Sequence, residues 1–158
     1  MRISREQMFM EQALTASKRA TCYRRSVGAV LVQDTKVIST GYNGARSGQP
    51  HCLGNSCPKD AQGGCVKAVH AEINVLYRAP RIIYSGGKRN LSLYVTESPC
   101  SKCAREIVSQ GVEEVYYLNE YRIRDGIEYM IEYGVKVFRM TTSGYIIDVD
   151  TDEIVNAT

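Results

Sequence analysis

Apolar and polar positions alternate along the chain with two periods, and the change from one to the other marks out its elements. Phe9, Ala13, Ala16 and Ala20 recur at helical spacing, with Ser4 and Gln7 placed as a capping box ahead of them. Two apolar runs follow, Gly28-Ala-Val-Leu-Val and Val37-Ile-Ser-Thr-Gly-Tyr. Their short polar link, Gln33-Asp34-Thr35-Lys36, predicts a β-hairpin. From Asn43 to about Lys67 the chain is rich in Gly, Cys, Pro and polar residues and has little periodicity. A loop of that length inside a compact domain needs something to hold it.

Periodicity returns at Val69 to Leu76, which reads as a buried helix ended by Pro80. Leu91-Ser-Leu-Tyr-Val-Thr alternates as a strand. Cys100 to Gln110 predicts a helix stopped by Gly111, and Val112 to Leu118 a further strand. Asp125 to Tyr133 is a helix closed by Gly134, and Val135-Lys-Val-Phe is the last clear strand. Beyond Thr141 the pattern weakens, with Tyr145-Ile-Ile-Asp-Val a candidate edge strand. An opening hairpin followed by strands alternating with helices predicts an α/β fold: a three-layer α/β/α sandwich on a central mixed five-stranded sheet. The expected organisation is one domain over 1–158, with its core at about 4–140 and a tail at 141–158. A chain of 158 residues is long enough to bury a core without disulfides.

Composition narrows the function only a little. Twenty basic residues against seventeen acidic ones leave a net charge of +3, which does not call for a nucleic-acid partner. A few placed arginines suffice for a phosphate monoester. The start, Met1-Arg2-Ile3-Ser4, lacks a signal-like apolar core, and the longest apolar stretch, Val27 to Val32, is far short of a membrane span. A cytoplasmic protein with no membrane partner is expected. Thiols in a reducing compartment serve more often as metal ligands or reactive groups than as disulfides, which directs attention to the six cysteines.

Two short runs carry the chemistry: His70-Ala71-Glu72 and Pro99-Cys100-Ser101-Lys102-Cys103. H-x-E with P-C-x-x-C is the general signature of zinc nucleobase deaminases. Cys100 and Cys103 stand one helical turn apart, so both sulfurs face one side. At a helix start, the unpaired N–H groups and the positive end of the dipole favour thiolates. A second helix beginning near His70 brings an imidazole into the same space. Two thiolates and one histidine leave a fourth tetrahedral position open on Zn2+, which is the catalytic arrangement. Zinc so held lowers the pKa of bound water to about 7. Glu72, two residues past His70, is placed to shuttle protons rather than to ligate.

These runs, with Ala20-Thr-Cys-Tyr-Arg-Arg-Ser-Val-Gly-Ala-Val and Gly41-Tyr-Asn-Gly, resemble the deoxycytidylate (dCMP) deaminases, especially bacterial and phage forms. The likeness runs from about Met8 to Val137. It implies a cytidine-deaminase-like fold and hydrolysis of dCMP to dUMP and ammonia, supplying dUMP for thymidylate synthesis. It places Asn43, Ala71 and Tyr121 against the substrate, and its arginines Arg24 and Arg25 suit the 5′-phosphate, whose oxygens a guanidinium fork matches. It also implies a homo-oligomer, often a hexamer, and control by dCTP with Mg2+ and by dTTP.

The zinc chemistry alone does not choose the base. Adenosine in transfer RNA, guanine, cytidine and a riboflavin precursor use the same centre, and pocket shape decides among them. A non-catalytic zinc-binding assembly subunit is the reading from another class, and Glu72 opposes it. Cys22, Cys52, Cys57 and Cys65 remain beyond the first centre. Some members resembling this chain carry a second, structural Zn2+ in this region. Four thiolates close a tetrahedral zinc, and His51 can replace any one of them, so that ligand set stays open.

Overall fold

The computed structural model of the chain describes residues 1–52, 54, 57–80 and 88–156. Helix α1 (Arg5–Ser17) begins with the predicted capping box. The Ser4 hydroxyl accepts from the Gln7 N–H, and the Gln7 carboxamide accepts from the Ser4 N–H. Strands β1 (Gly28–Gln33) and β2 (Lys36–Tyr42) form the hairpin. Its two turn residues, Asp34 and Thr35, both take left-handed φ values of 48° and 71°, as a two-residue primed turn requires. There follow α2 (Ala71–Arg78), β3 (Leu91–Glu97), α3 (Ser101–Ser109), β4 (Glu114–Asn119), α4 (Asp125–Glu132), β5 (Lys136–Met140), β6 (Ile146–Asp148) and β7 (Ile154–Val155).

The strands lie in the order β2-β1-β3-β4-β5-β6-β7. The three strands from β3 to β5 run parallel to one another, and every other pairing is antiparallel. The sheet is therefore mixed, as expected, but has seven strands rather than five. The tail is the reason for the difference. A turn at Thr141–Tyr145 folds it back so that Ile146 pairs with Met140 and Ile147 with Arg139. Residues 146–155 thus cover an edge that β5 would otherwise leave open. The candidate edge strand at Tyr145-Ile-Ile-Asp-Val is β6, whereas the two-residue β7 is too short for alternation to reveal.

Helices lie on both faces. One face of the sheet packs Val30, Tyr94, Tyr116 and Phe138 against Phe9, Met10 and Ala13 of α1. The other packs Leu31, Leu93, Val115 and Val137 against residues of α2, α3 and α4. On the α1 side an aromatic ladder, Phe9–Tyr94–Tyr116–Phe138, crosses the strands at centroid spacings of 5.1, 4.6 and 4.8 Å. Each such pair contributes about 1 kcal/mol beyond the area it buries. α1 can lie this close only because β1 opens with Gly28, where a Cβ would stand 1.9 Å from the Ala13 carbonyl oxygen. Among the described residues no helix is long and apolar enough to cross a membrane.

Two features of this frame position the functional side chains. Gly44 and Val69 exchange backbone hydrogen bonds of 3.1 and 2.8 Å, which pin the approach to α2 against the end of β2. β3 runs through Ser98-Pro99 directly into α3. Helices α2 and α3 consequently start side by side.

Candidate functional site

His70 and Cys100 each stand one residue outside their helices. They are the N-caps of α2 and α3, in extended conformation (φ −68°, ψ 152° and φ −73°, ψ 169°). The pattern reading began these helices at Val69 and Cys100, one or two residues too early. An N-cap side chain ordinarily turns back to accept from the first helical N–H groups. Neither of these does, and both turn toward each other across the gap between the helices. Cys103, in the first turn of α3, completes the set and is almost wholly buried.

The His70 Nδ1 lies 3.3 Å from the Cys103 Sγ and 3.6 Å from the Cys100 Sγ. Zn–N and Zn–S bonds at a tetrahedral angle set nitrogen and sulfur about 3.6 Å apart. All three ligand atoms fall within 4.8 Å of one another. The donor set and its spacing fit Zn2+. The protonation states fit as well. The hydrogen bond from Cys103, with help from His70, pulls the Cys100 thiol down to about 3, while its bond to Cys100 and its burial push Cys103 up. The Cys100 hydrogen bond raises His70. A cation binding here would displace the protons of these groups.

Glu72 lies in the first turn of α2 and is 4% exposed. Burial raises its carboxyl from about 4.5 to about 7, against the opposing pull of His70 and with a further push from the negative charges of Cys100 and Glu97. A carboxyl that both holds and releases a proton near neutrality is suited to proton transfer.

His70, Cys100 and Glu72 open on a cavity of about 210 Å³. Asn43, Arg24, Arg25, Ala71 and Tyr121 all line it. Asn43 is 6% exposed and already engaged. Its Oδ1 accepts from the Val27 N–H at 2.8 Å and its Nδ2 donates to the Arg25 carbonyl at 2.9 Å. One N–H and one lone pair remain for another partner. The Arg24 guanidinium donates to the Gly63 carbonyl. Arg25 is ion-paired with Glu97 at 2.7 Å and lies 4.5 Å over the Tyr121 ring. The Tyr121 N–H donates to the Ser98 Oγ at 2.7 Å, which fixes the turn after β4. Ala71 is fully buried behind the wall between His70 and Glu72.

Three participants escaped the sequence reading. Glu97 and Arg122 line the cavity; the first sits beside the recognised Pro99-Cys100 run and the second beside Tyr121, an adjacency that could have found them. The third, Gly126 of α4, is pressed against the entry to α3. A Cβ there would stand 2.2 Å from the Pro99 carbonyl oxygen and 2.8 Å from the Cys100 carbonyl carbon.

A second thiol group lies in the long loop. Cys52, Cys57 and Cys65 place their sulfurs within 4.8 Å of one another, at 3.8 Å for Cys52–Cys65 and 2.8 Å for Cys57–Cys65. Zn–S bonds at a tetrahedral angle set two sulfurs about 3.8 Å apart. Burial raises the Cys52 thiol, and the hydrogen bond to Cys65 raises Cys57 to about 12; Cys65, despite the upward push of burial, is held below its ordinary value by the bond from Cys57. Cys22 pairs its backbone with Cys52, but its sulfur is not in the group, and neither is the exposed His51. Cys65 also faces the cavity, so the thiol cluster and the pocket share a wall.

Comparison with known proteins agrees with this geometry. The chain matches the family model described as the cytidine and deoxycytidylate deaminase zinc-binding region over residues 3–119. It is 33% identical to ComE operon protein 2 of Bacillus subtilis, over 96% of this chain and 79% of that protein. It is 36% identical to the deoxycytidylate deaminase of Saccharomyces cerevisiae over 78% of this chain, and spans only 40% of that longer protein. Among solved structures, the dCMP deaminase of the cyanophage S-TIM5 in complex with dCMP and dUMP superposes with a TM-score of 0.70 at 34% identity, covering 85% of this chain and 96% of that one.

Proposed function

The chain belongs to the cytidine and deoxycytidylate deaminase family, and from that premise we propose that it hydrolyses dCMP to dUMP and ammonia. One observation carries the reading. A histidine and two cysteines stand at zinc-ligand spacing, and two of them, His70 and Cys100, share a cavity with a buried carboxyl whose proton affinity is moved to neutrality. A similar protein, the cyanophage dCMP deaminase, has been crystallised with dCMP and dUMP.

His70, Cys100 and Cys103 would hold a zinc ion, which would supply hydroxide at neutral pH. Glu72 takes a proton from the attacking water and delivers it to the ring nitrogen beside the carbon under attack. It then helps protonate the departing amine. Burial keeps Glu72 from exchanging that proton with bulk water between the two transfers. Asn43, with one donor and one acceptor left, is placed to bond the sugar or base, and Ala71 and Tyr121 bound the nucleotide. Arg24 and Arg25 lie on the side assigned to the phosphate.

The same proposal has finer parts. A second, structural Zn2+ on Cys52, Cys57 and Cys65, with Cys22 or His51 as its fourth ligand, would order the long loop, and the 3.8 Å Cys52–Cys65 spacing supports it. A hexameric assembly, control by dCTP with Mg2+ and by dTTP, and a cytoplasmic setting follow from the family likeness. Purified protein incubated with dCMP, CMP, deoxycytidine and an RNA stem-loop, with and without dCTP and Mg2+, should release ammonia fastest from dCMP. Absence of release from dCMP under every condition refutes the reading. Metal analysis tests the second site: two zinc ions per chain support it, and one removes it.

A further inference from the structure

The two halves of the site stand on different elements. His70 and Glu72 belong to the start of α2, while Asn43 follows the end of β2. Their separation decides whether a ring held by Asn43 lies within reach of the Glu72 carboxyl. Two ties set it. The first is the Gly44–Val69 backbone exchange, which depends on neither side chain. The second is a side chain: the Asn74 Nδ2 donates to the Tyr42 carbonyl at 2.8 Å. Tyr42 immediately precedes Asn43, and the Asn74 N–H closes the first turn of α2 on the His70 carbonyl at 3.0 Å. Asn74 thus grips the turn of His70 and Glu72 by its backbone and the Asn43 segment by its amide. The packing there is tight as well. A Cβ on Gly41 would stand 3.0 Å from the Val75 Cγ1 and 3.2 Å from the Asn74 Cβ. Asparagine is a poor helix former, and this one is half-buried with its side-chain donor engaged outside its own helix. Helix formation does not account for it; the bond to β2 does.

We propose that Asn74 is a positioning residue for the deamination. By holding the Tyr42 carbonyl it sets the distance between Asn43 and the Glu72 carboxyl, and so presents the ring at the reacting geometry. The inference rests on the deaminase reading above and deepens it. Asn74 is not one of the residues that line the cavity, so it acts through Asn43 and not on the substrate.

The test measures dCMP turnover, zinc content and unfolding midpoint in the zinc-loaded wild type, Asn74→Ala, Asn74→Gln, Asn43→Ala and the double alanine variant. A misplacement of about 1 Å between the two halves should lower kcat/KM in Asn74→Ala by about 10- to 100-fold, mainly through kcat. Zinc should stay at the wild-type level, because none of its ligands is altered. Asn74→Gln, which keeps the donor on a longer arm, should recover part of the loss. A residue that acts through Asn43 has nothing left to position once Asn43 is gone. The double variant should therefore be no slower than Asn43→Ala alone. Fully additive losses, loss of zinc in Asn74→Ala, or a lower unfolding midpoint with unchanged kinetics would each overturn the assignment. A wild type that does not deaminate dCMP strikes the parent reading instead, so the two failures are distinguishable.

Discussion

Replacing Gly126 by alanine sets two physical effects of opposite sign against each other. Gly126 is buried near the start of α4, and on intrinsic helix preference the alanine variant should gain about 1 kcal/mol. Sterically it should lose more. The new methyl would sit 2.2 Å from the Pro99 carbonyl oxygen and 2.8 Å from the Cys100 carbonyl carbon, about 1 Å inside ordinary contact. Both obstacles are backbone, so no side chain can swing aside. Either α4 lifts or the Pro99–Cys100 segment shifts, and a shift of that size disturbs the 3.6 Å spacing between Cys100 and His70. Overpacking of this kind costs about 1–3 kcal/mol, which leaves a net loss. A displacement of about 1 Å in a ligand also costs activity by roughly 100-fold. Denaturant unfolding, together with chelator competition for zinc, measures both effects. A variant with an unchanged or higher unfolding midpoint and full zinc affinity would show that Gly126 does not hold the ligand, and the reasoning would fail.

Three further outcomes are expected. Glu72→Gln should keep its zinc and lose turnover by about 100- to 10,000-fold, whereas Cys100→Ala should lose zinc and activity together; near-normal rates in Glu72→Gln would remove the proton shuttle. In zinc-free protein the folded chain holds the Glu72 proton up to about pH 7 while the unfolded chain releases it near 4.5. Stability should therefore fall by about 3 kcal/mol as pH rises through that window, and Glu72→Gln should flatten the slope in pH-dependent unfolding. Asn43→Ala strips the partners of the Val27 N–H and the Arg25 carbonyl; it should lower stability by about 1–3 kcal/mol and raise KM, and an unchanged unfolding midpoint would contradict the bracing role.

The sequence disclosed the first-order arrangement because the relevant signals are local. The capping box at Ser4, the hairpin through Asp34-Thr35 and the paired motifs around His70 and Cys100 each lie within a few residues, and the folded chain places them as their spacing implies. Long-range relations were beyond it. Whether Cys22 or Cys65 turns its sulfur inward depends on how residues 58–66 fold back on themselves, which no periodicity encodes. The Arg25–Glu97 pair joins positions 72 residues apart. The two-residue strand β7 depends on a partner edge rather than on its own pattern.

One side of the cavity rests on a turn and on thiols. The segment from Gln62 to Cys65 is stitched by the Asp60 turn and by sulfur contacts, and through Gly63 it also restrains Arg24. Cohesion among three thiols is thereby converted into the contour that a nucleotide meets. Mercurials, oxidants or chelators acting on this cluster would alter substrate preference at a distance from the reacting ring, even with His70, Cys100 and Cys103 untouched.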